Sequence, residues 1–139
     1  MGKYFLLLAS ALVLLVTSCK KDDSAPTVKE LAGTYQFSKM TYQEGSSSEK
    51  DVTNDYLNDC AKDDQIILSV SRTYTAVDAG NSCGAGNIVS AWSLLGANTL
   101  KLGSELYTIR KYDGKNLELS ITGNNRGVTS TLVRYYVRQ

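Results

Sequence analysis

Leu106-Tyr107-Thr108-Ile109-Arg110-Lys111-Tyr112-Asp113-Gly114-Lys115-Asn116-Leu117-Glu118-Leu119-Ser120-Ile121-Thr122 is the stretch on which the fold turns. Two runs of β-type composition, Leu106 to Tyr112 and Asn116 to Thr122, flank Asp113-Gly114-Lys115, and Asp-Gly is a strong hairpin signal because glycine accepts the positive φ of a tight turn. Leu117, Leu119 and Ile121 alternate with Glu118 and Ser120, so the second run presents one buried and one wet face. Leu100 and Leu102 alternate with Lys101 in the same way.

Working outward, similar segments recur at a spacing of about ten residues, the pattern of a sandwich or an up-and-down barrel. Gly33 to Tyr42 reads as the first strand. Tyr35 and Phe37 fall on one parity and Met40 and Tyr42 on the other, which predicts a bulge or a strong bend near Ser38-Lys39. Residues 65–70 and 72–77 form a tight pair, and a glycine-rich loop covers 78–87. Ile88 to Leu95, Thr99 to Leu102 and a last strand, Gly127 to Arg138, complete the set. Residues 51–63 lack strand alternation and read as a short helix or helical turn across one end of the barrel, with Val52, Tyr56 and Leu57 as apolar contacts. The expected fold is all-β: an eight-stranded up-and-down antiparallel barrel with one short helix near 51–63.

Nine tyrosines, eleven glycines and one proline suit strands and turns. Histidine is absent, which removes the Ser/His/Asp and Cys/His nucleophiles, the Cys/His zinc sites and imidazole acid-base chemistry. No catalytic residue, metal site or cofactor is assigned, and the chain does not read as an enzyme.

The first residues read as an address. Lys3 precedes the apolar run Tyr4 to Val16, long enough for a signal-peptide core and too short to span a bilayer. Val16-Thr17-Ser18-Cys19 resembles the lipobox of bacterial lipoproteins. That resemblance implies removal of residues 1–18 and modification of Cys19 by acyl chains such as palmitate, which anchor a protein stably when two or more are present. Without Lys3 the remaining chain carries 14 basic and 14 acidic residues. Such neutrality disfavours nucleic acid as a partner. Residues 19–30 read as a flexible tether. Lys20-Lys21-Asp22-Asp23 within it also looks like the charged signal that sends some lipoproteins to the outer leaflet of a Gram-negative outer membrane, the alternative being a plain solvated linker. The expected location is the cell envelope, most simply the outer membrane, on its periplasmic or exposed face.

With Cys19 taken by lipid, Cys60 and Cys83 remain in an oxidising compartment, where thiols pair. One disulfide is expected, and no Cys-x-x-Cys spacing supports a redox role.

From Leu31 to the C-terminus, the domain 31–139, the chain resembles the lipocalin-like domains of small bacterial lipoproteins. The likeness is carried by Leu31-Ala32-Gly33-Thr34-Tyr35, the Cys60-Ala61-Lys62-Asp63-Asp64 segment followed by Tyr74-Thr75 and Cys83, Ala91-Trp92-Ser93-Leu94 followed by Leu100-Lys101-Leu102, and the terminal Tyr135-Tyr136-Val137-Arg138. Lipocalins begin with Gly-x-Trp beneath a packed basic residue. Tyr35 stands at the tryptophan position here, and the basic partner is either Arg134 or Arg138.

Tyr35, Phe37, Tyr74, Trp92 and Tyr107 could line a pocket for a small apolar ligand or simply fill the core. Asp51, Asp55, Asp59 and Asp63 would form one carboxylate stripe on a helix, open to a hard cation or merely to solvent. Two functions follow as expectations: a lipid-anchored barrel that binds a small hydrophobic molecule, or a surface module with a filled barrel whose loops meet a protein or glycan. The sequence names no protein partner.

Overall fold

A computed structural model describes residues 25–139; the signal segment, Cys19 and the first part of the tether lie outside them. Strands β1 (Gly33–Glu44), β2 (Lys50–Asp51), β3 (Gln65–Leu68), β4 (Thr73–Val77), β5 (Ile88–Leu95), β6 (Thr99–Leu102), β7 (Glu105–Tyr112), β8 (Asn116–Asn125) and β9 (Val128–Arg138) follow one another in the chain. Each from β3 onward pairs antiparallel with the next, β1 pairs with β3, and β9 returns to pair with β1. The result is a closed eight-strand meander, with β2 as a two-residue addition beside Thr41 and Tyr42. Closure leaves none of the eight long strands as a free edge.

The expected all-β barrel is therefore present. The bulge falls where the parity break in the sequence put it: the β1–β9 register shifts between Phe37 and Lys39. Met40 is thereby returned to the inner face beside Phe37, and both are buried. A second register shift between Ile109 and Lys111 leaves Arg110 as the extra residue in β7. The 113–115 turn is held by Asp113, whose Oδ1 accepts from the amides of Lys115 at 3.0 Å and Asn116 at 2.7 Å.

Several expectations need refinement. The segment 51–63 holds a helical turn, as expected, but not one continuous helix: β2, a helical turn α2 (Thr53–Tyr56) and a 3-10 turn at Asp59–Ala61 follow one another. Asp51 accepts from both the amide and the hydroxyl of Thr53, and the Val52 amide bonds back to Met40 O. These bonds tie the start of the segment to β1 and stop one helix from running through it. Val52 and Leu57 pack on the core as expected, but Tyr56 is exposed. The carboxylate stripe is not assembled, since its members sit on different elements; Asp59 pairs with Lys62 and Asp63 accepts from the Asn81 amide. Thr27 to Glu30, expected within the tether, belong to the barrel. A capping box between Thr27 and Glu30 starts the turn α1 (Val28–Leu31), and its Leu31 is fully buried.

That turn closes the floor. The Tyr35 hydroxyl donates to Leu31 O at 2.8 Å. The Arg138 guanidinium lies 5.8 Å from the centre of the Tyr35 ring and donates to Glu30 O, Ala32 O and the Tyr112 hydroxyl. Arg138, not Arg134, is thus the cation packed over the aromatic ring of the first strand. Gly33 is required because a Cβ there would stand 2.8 Å from Arg138 Nε. Gly33→Ala should lower unfolding stability by about 1–3 kcal/mol, the usual range for overpacking, in chemical denaturation of the protein.

On the outer face, Glu49, from the β1–β2 connection, reaches buried Thr41 of β1. Its Oε1 accepts from the Thr41 and Tyr135 hydroxyls, both at 2.5 Å, and its Oε2 from Arg110 at 2.9 Å. The hydroxyl bonds from Thr41 and Tyr135, with help from Arg110, hold the Glu49 carboxyl down at about 2. A depressed carboxyl stabilises the fold above its unfolded value near 4.5 and ceases to do so as pH falls toward 2. Glu49→Gln should cost about 1 kcal/mol at pH 7, and the gap between wild type and variant should close between pH 4.5 and pH 2.

Candidate functional site

Strand alternation sends every second side chain of the barrel inward. Near the floor that space is full: Tyr35, Leu68, Trp92, Leu100 and Leu117 are almost entirely buried, and Trp92 Nε1 donates to Ser69 O at 2.9 Å. Toward the other end the filling stops. A cavity of about 180 Å³ lies there, walled by Phe37 and Met40 of β1, Ile66 of β3, Tyr74 and Ala76 of β4, and Tyr136 of β9. Leu57 and Ala61, from the segment that crosses this end, form its roof, and Asp64 and Gln65 its rim. Phe37 and Tyr136 meet edge to face at 6.0 Å between ring centres, a packing that fixes one wall.

Of the five aromatic side chains singled out from the sequence, Phe37 and Tyr74 border this cavity. Tyr35 and Trp92 belong to the packed floor, and Tyr107 stands behind the cavity wall against Arg134. What the sequence reading missed is Tyr136 and the place of Arg134, offered only as a partner of the first-strand ring, on the cavity lining. Residues 134, 136 and 138 share the inner parity of β9, so strand alternation in the run Arg134-Tyr135-Tyr136-Val137-Arg138 puts a cation inside the barrel. That parity was the available signal.

Arg134 borders the cavity and lies 5.7 Å from the centre of the Tyr107 ring. One of its terminal nitrogens, Nη1, donates to the Tyr107 hydroxyl at 3.1 Å, and that hydroxyl donates in turn to Glu105. Its Nε is buried and has no hydrogen-bond partner, while the Tyr136 phenol, like Tyr107, interacts with the guanidinium. Burial pushes the phenols of Tyr74, Tyr107 and Tyr136 upward, so at neutral pH they are uncharged. The site therefore combines apolar walls, neutral phenols and one permanent cation. Asp64 at the rim is also shifted upward, chiefly by burial, although the Ala79 amide holds it. Two broader hollows of about 480 and 360 Å³ lie outside the sheet, beside Arg110 and Lys111 in one case and Lys39 and Glu118 in the other. Neither contains a buried polar atom without a partner.

The roof is stapled. Cys60, inside the 3-10 turn, is bonded to Cys83 of the 78–87 loop. Within that loop Asp78 organises the backbone, accepting from Cys83, Ala85 and Gly86 amides and the Ser82 hydroxyl. The disulfide joins positions 23 apart in sequence, for which chain-entropy models give about 3 kcal/mol.

Comparison with known proteins returned no match of the chain to any protein-family model, any curated protein or any solved structure. Among the described residues no helix is long and apolar enough to cross a membrane.

Replacing both Cys60 and Cys83 by serine should lower unfolding stability by about 3 kcal/mol. Amide exchange should rise first at 57–61 and 78–87, with β7 to β9 protected as before.

Proposed function

We propose that this protein is a lipid-anchored lipoprotein of the bacterial cell envelope whose lipocalin-like barrel binds one small, largely apolar molecule. The observation that carries the binding reading is the cavity of about 180 Å³ beneath the 53–61 segment. Cavities of about 150 Å³ with apolar linings bind benzene, so the walls suit a molecule of roughly that size and not a drug-sized ligand. The anchoring reading rests on the sequence: Lys3, the apolar run to Val16, and the lipobox-like residues ending at Cys19. Fatty chains on Cys19 would hold the barrel at the outer membrane, with residues 20–26 as the intervening tether.

Met1 and Met40 are the two methionines of the chain. Cleavage before Cys19 leaves Met40, a cavity wall, as the sole methyl probe when the protein is labelled with methyl-13C methionine. In the mature protein held in nanodiscs, toluene should shift the Met40 signal saturably with one-site behaviour. A Met40 signal indifferent to toluene would leave the surface-interaction module as the better reading. Metabolic labelling with a palmitate analogue should mark the wild type and not Cys19→Ser; equal labelling of both would overturn the anchor.

A further inference from the structure

A guanidinium nitrogen shut away from water is costly to leave without an acceptor, and in half-buried Arg134 that nitrogen is Nε. Arg134 has no carboxylate within ion-pair distance among the described residues; its link to Glu105 runs through the Tyr107 hydroxyl. Yet Arg134 is placed with care: the Tyr107 ring stacks beneath it, Tyr107 takes up one terminal nitrogen, and Nε is left without an acceptor on the cavity wall. Guanidinium edges match the two oxygens of a carboxylate better than any point acceptor. Beside it on the neighbouring strands, Phe37, Met40 and Ile66 offer no side-chain polar group and suit a hydrocarbon body.

We propose that the ligand of this cavity is a small monocarboxylate with an apolar body about the size of a benzene ring, its carboxylate anchored on Arg134. This rests on reading the cavity as a ligand site and specifies its chemistry. Asp64, also on the lining, is held by the Ala79 amide but keeps a buried Oδ1 without a partner, and its charge works against such an anion. The two residues therefore act with opposite sign, Arg134 for binding and Asp64 against it.

The test uses the Met40 methyl signal of the mature protein in nanodiscs with three probes of one shape: benzoate, benzamide and toluene. Benzoate should bind about tenfold or more tightly than benzamide, the factor expected of a charge-assisted hydrogen bond over a neutral one. Arg134→Met should erase that preference while toluene still binds, and Asp64→Asn should tighten benzoate. Benzamide or toluene binding as well as benzoate would overturn the carboxylate assignment and leave the ligand site standing. So would a folded Arg134→Met variant that keeps the preference. If none of the three moves the Met40 signal, the ligand site itself fails. Should Arg134→Met not fold, the benzoate-to-benzamide ratio of the wild type decides alone.

Discussion

The pairing of β1 with β9 is the contact on which the other features depend. Without it the meander would be an open sheet with two exposed edges and no interior. The two strands pair from Tyr35 opposite Arg138 to Glu44 opposite Ser130, and a ladder of that length cannot stay in phase with both β9 and β3 unless β1 bends. The extra residue at Ser38 supplies the bend. Below it β1 pairs with β3 as well as β9; above it β1 leaves β3 and pairs with β2. The 45–64 segment fills the gap so created, and the cavity lies beneath it.

Arg138 and Arg134 show how one strand serves two ends of the same interior. Four residues apart on the inner face of β9, they meet different surroundings. Arg138 is satisfied by carbonyls of the chain entering the floor, where it locks α1 to β1 and requires glycine at position 33. Arg134 faces phenols and hydrocarbon, and its Nε finds no acceptor. Identical side chains on identical backbone thus become a structural clasp and an unfilled donor, according to what the neighbouring strands bring to them.

Much of the barrel was legible because two-residue periodicity and turn chemistry are local. Leu117, Leu119 and Ile121 against Glu118 and Ser120, Asp113-Gly114 in the turn, and the parity break at Ser38-Lys39 each show in a few consecutive residues. The disulfide could also be inferred once one cysteine was set aside for lipid. The 51–63 segment was legible only in part because its conformation is set from a distance. Met40 O and the Asp51 carboxylate, not the periodicity of Val52, Tyr56 and Leu57, decide where it turns. The candidate site was half legible for a related reason. Aromatic composition pointed to Phe37 and Tyr74, but which rings fill the floor and which border empty space depends on the height of each strand in the barrel. Register sets that height, and it is not written in any single strand.

The floor and the cavity occupy opposite ends, and the chain enters at the floor, through Thr27 and α1. A barrel suspended by its first residues would hang with its plugged base toward the support and its hollow end facing outward. Were the chain anchored through Cys19 as proposed, small solutes would reach the hollow end from the aqueous side, past the cystine-braced segment, without first dissolving in the bilayer.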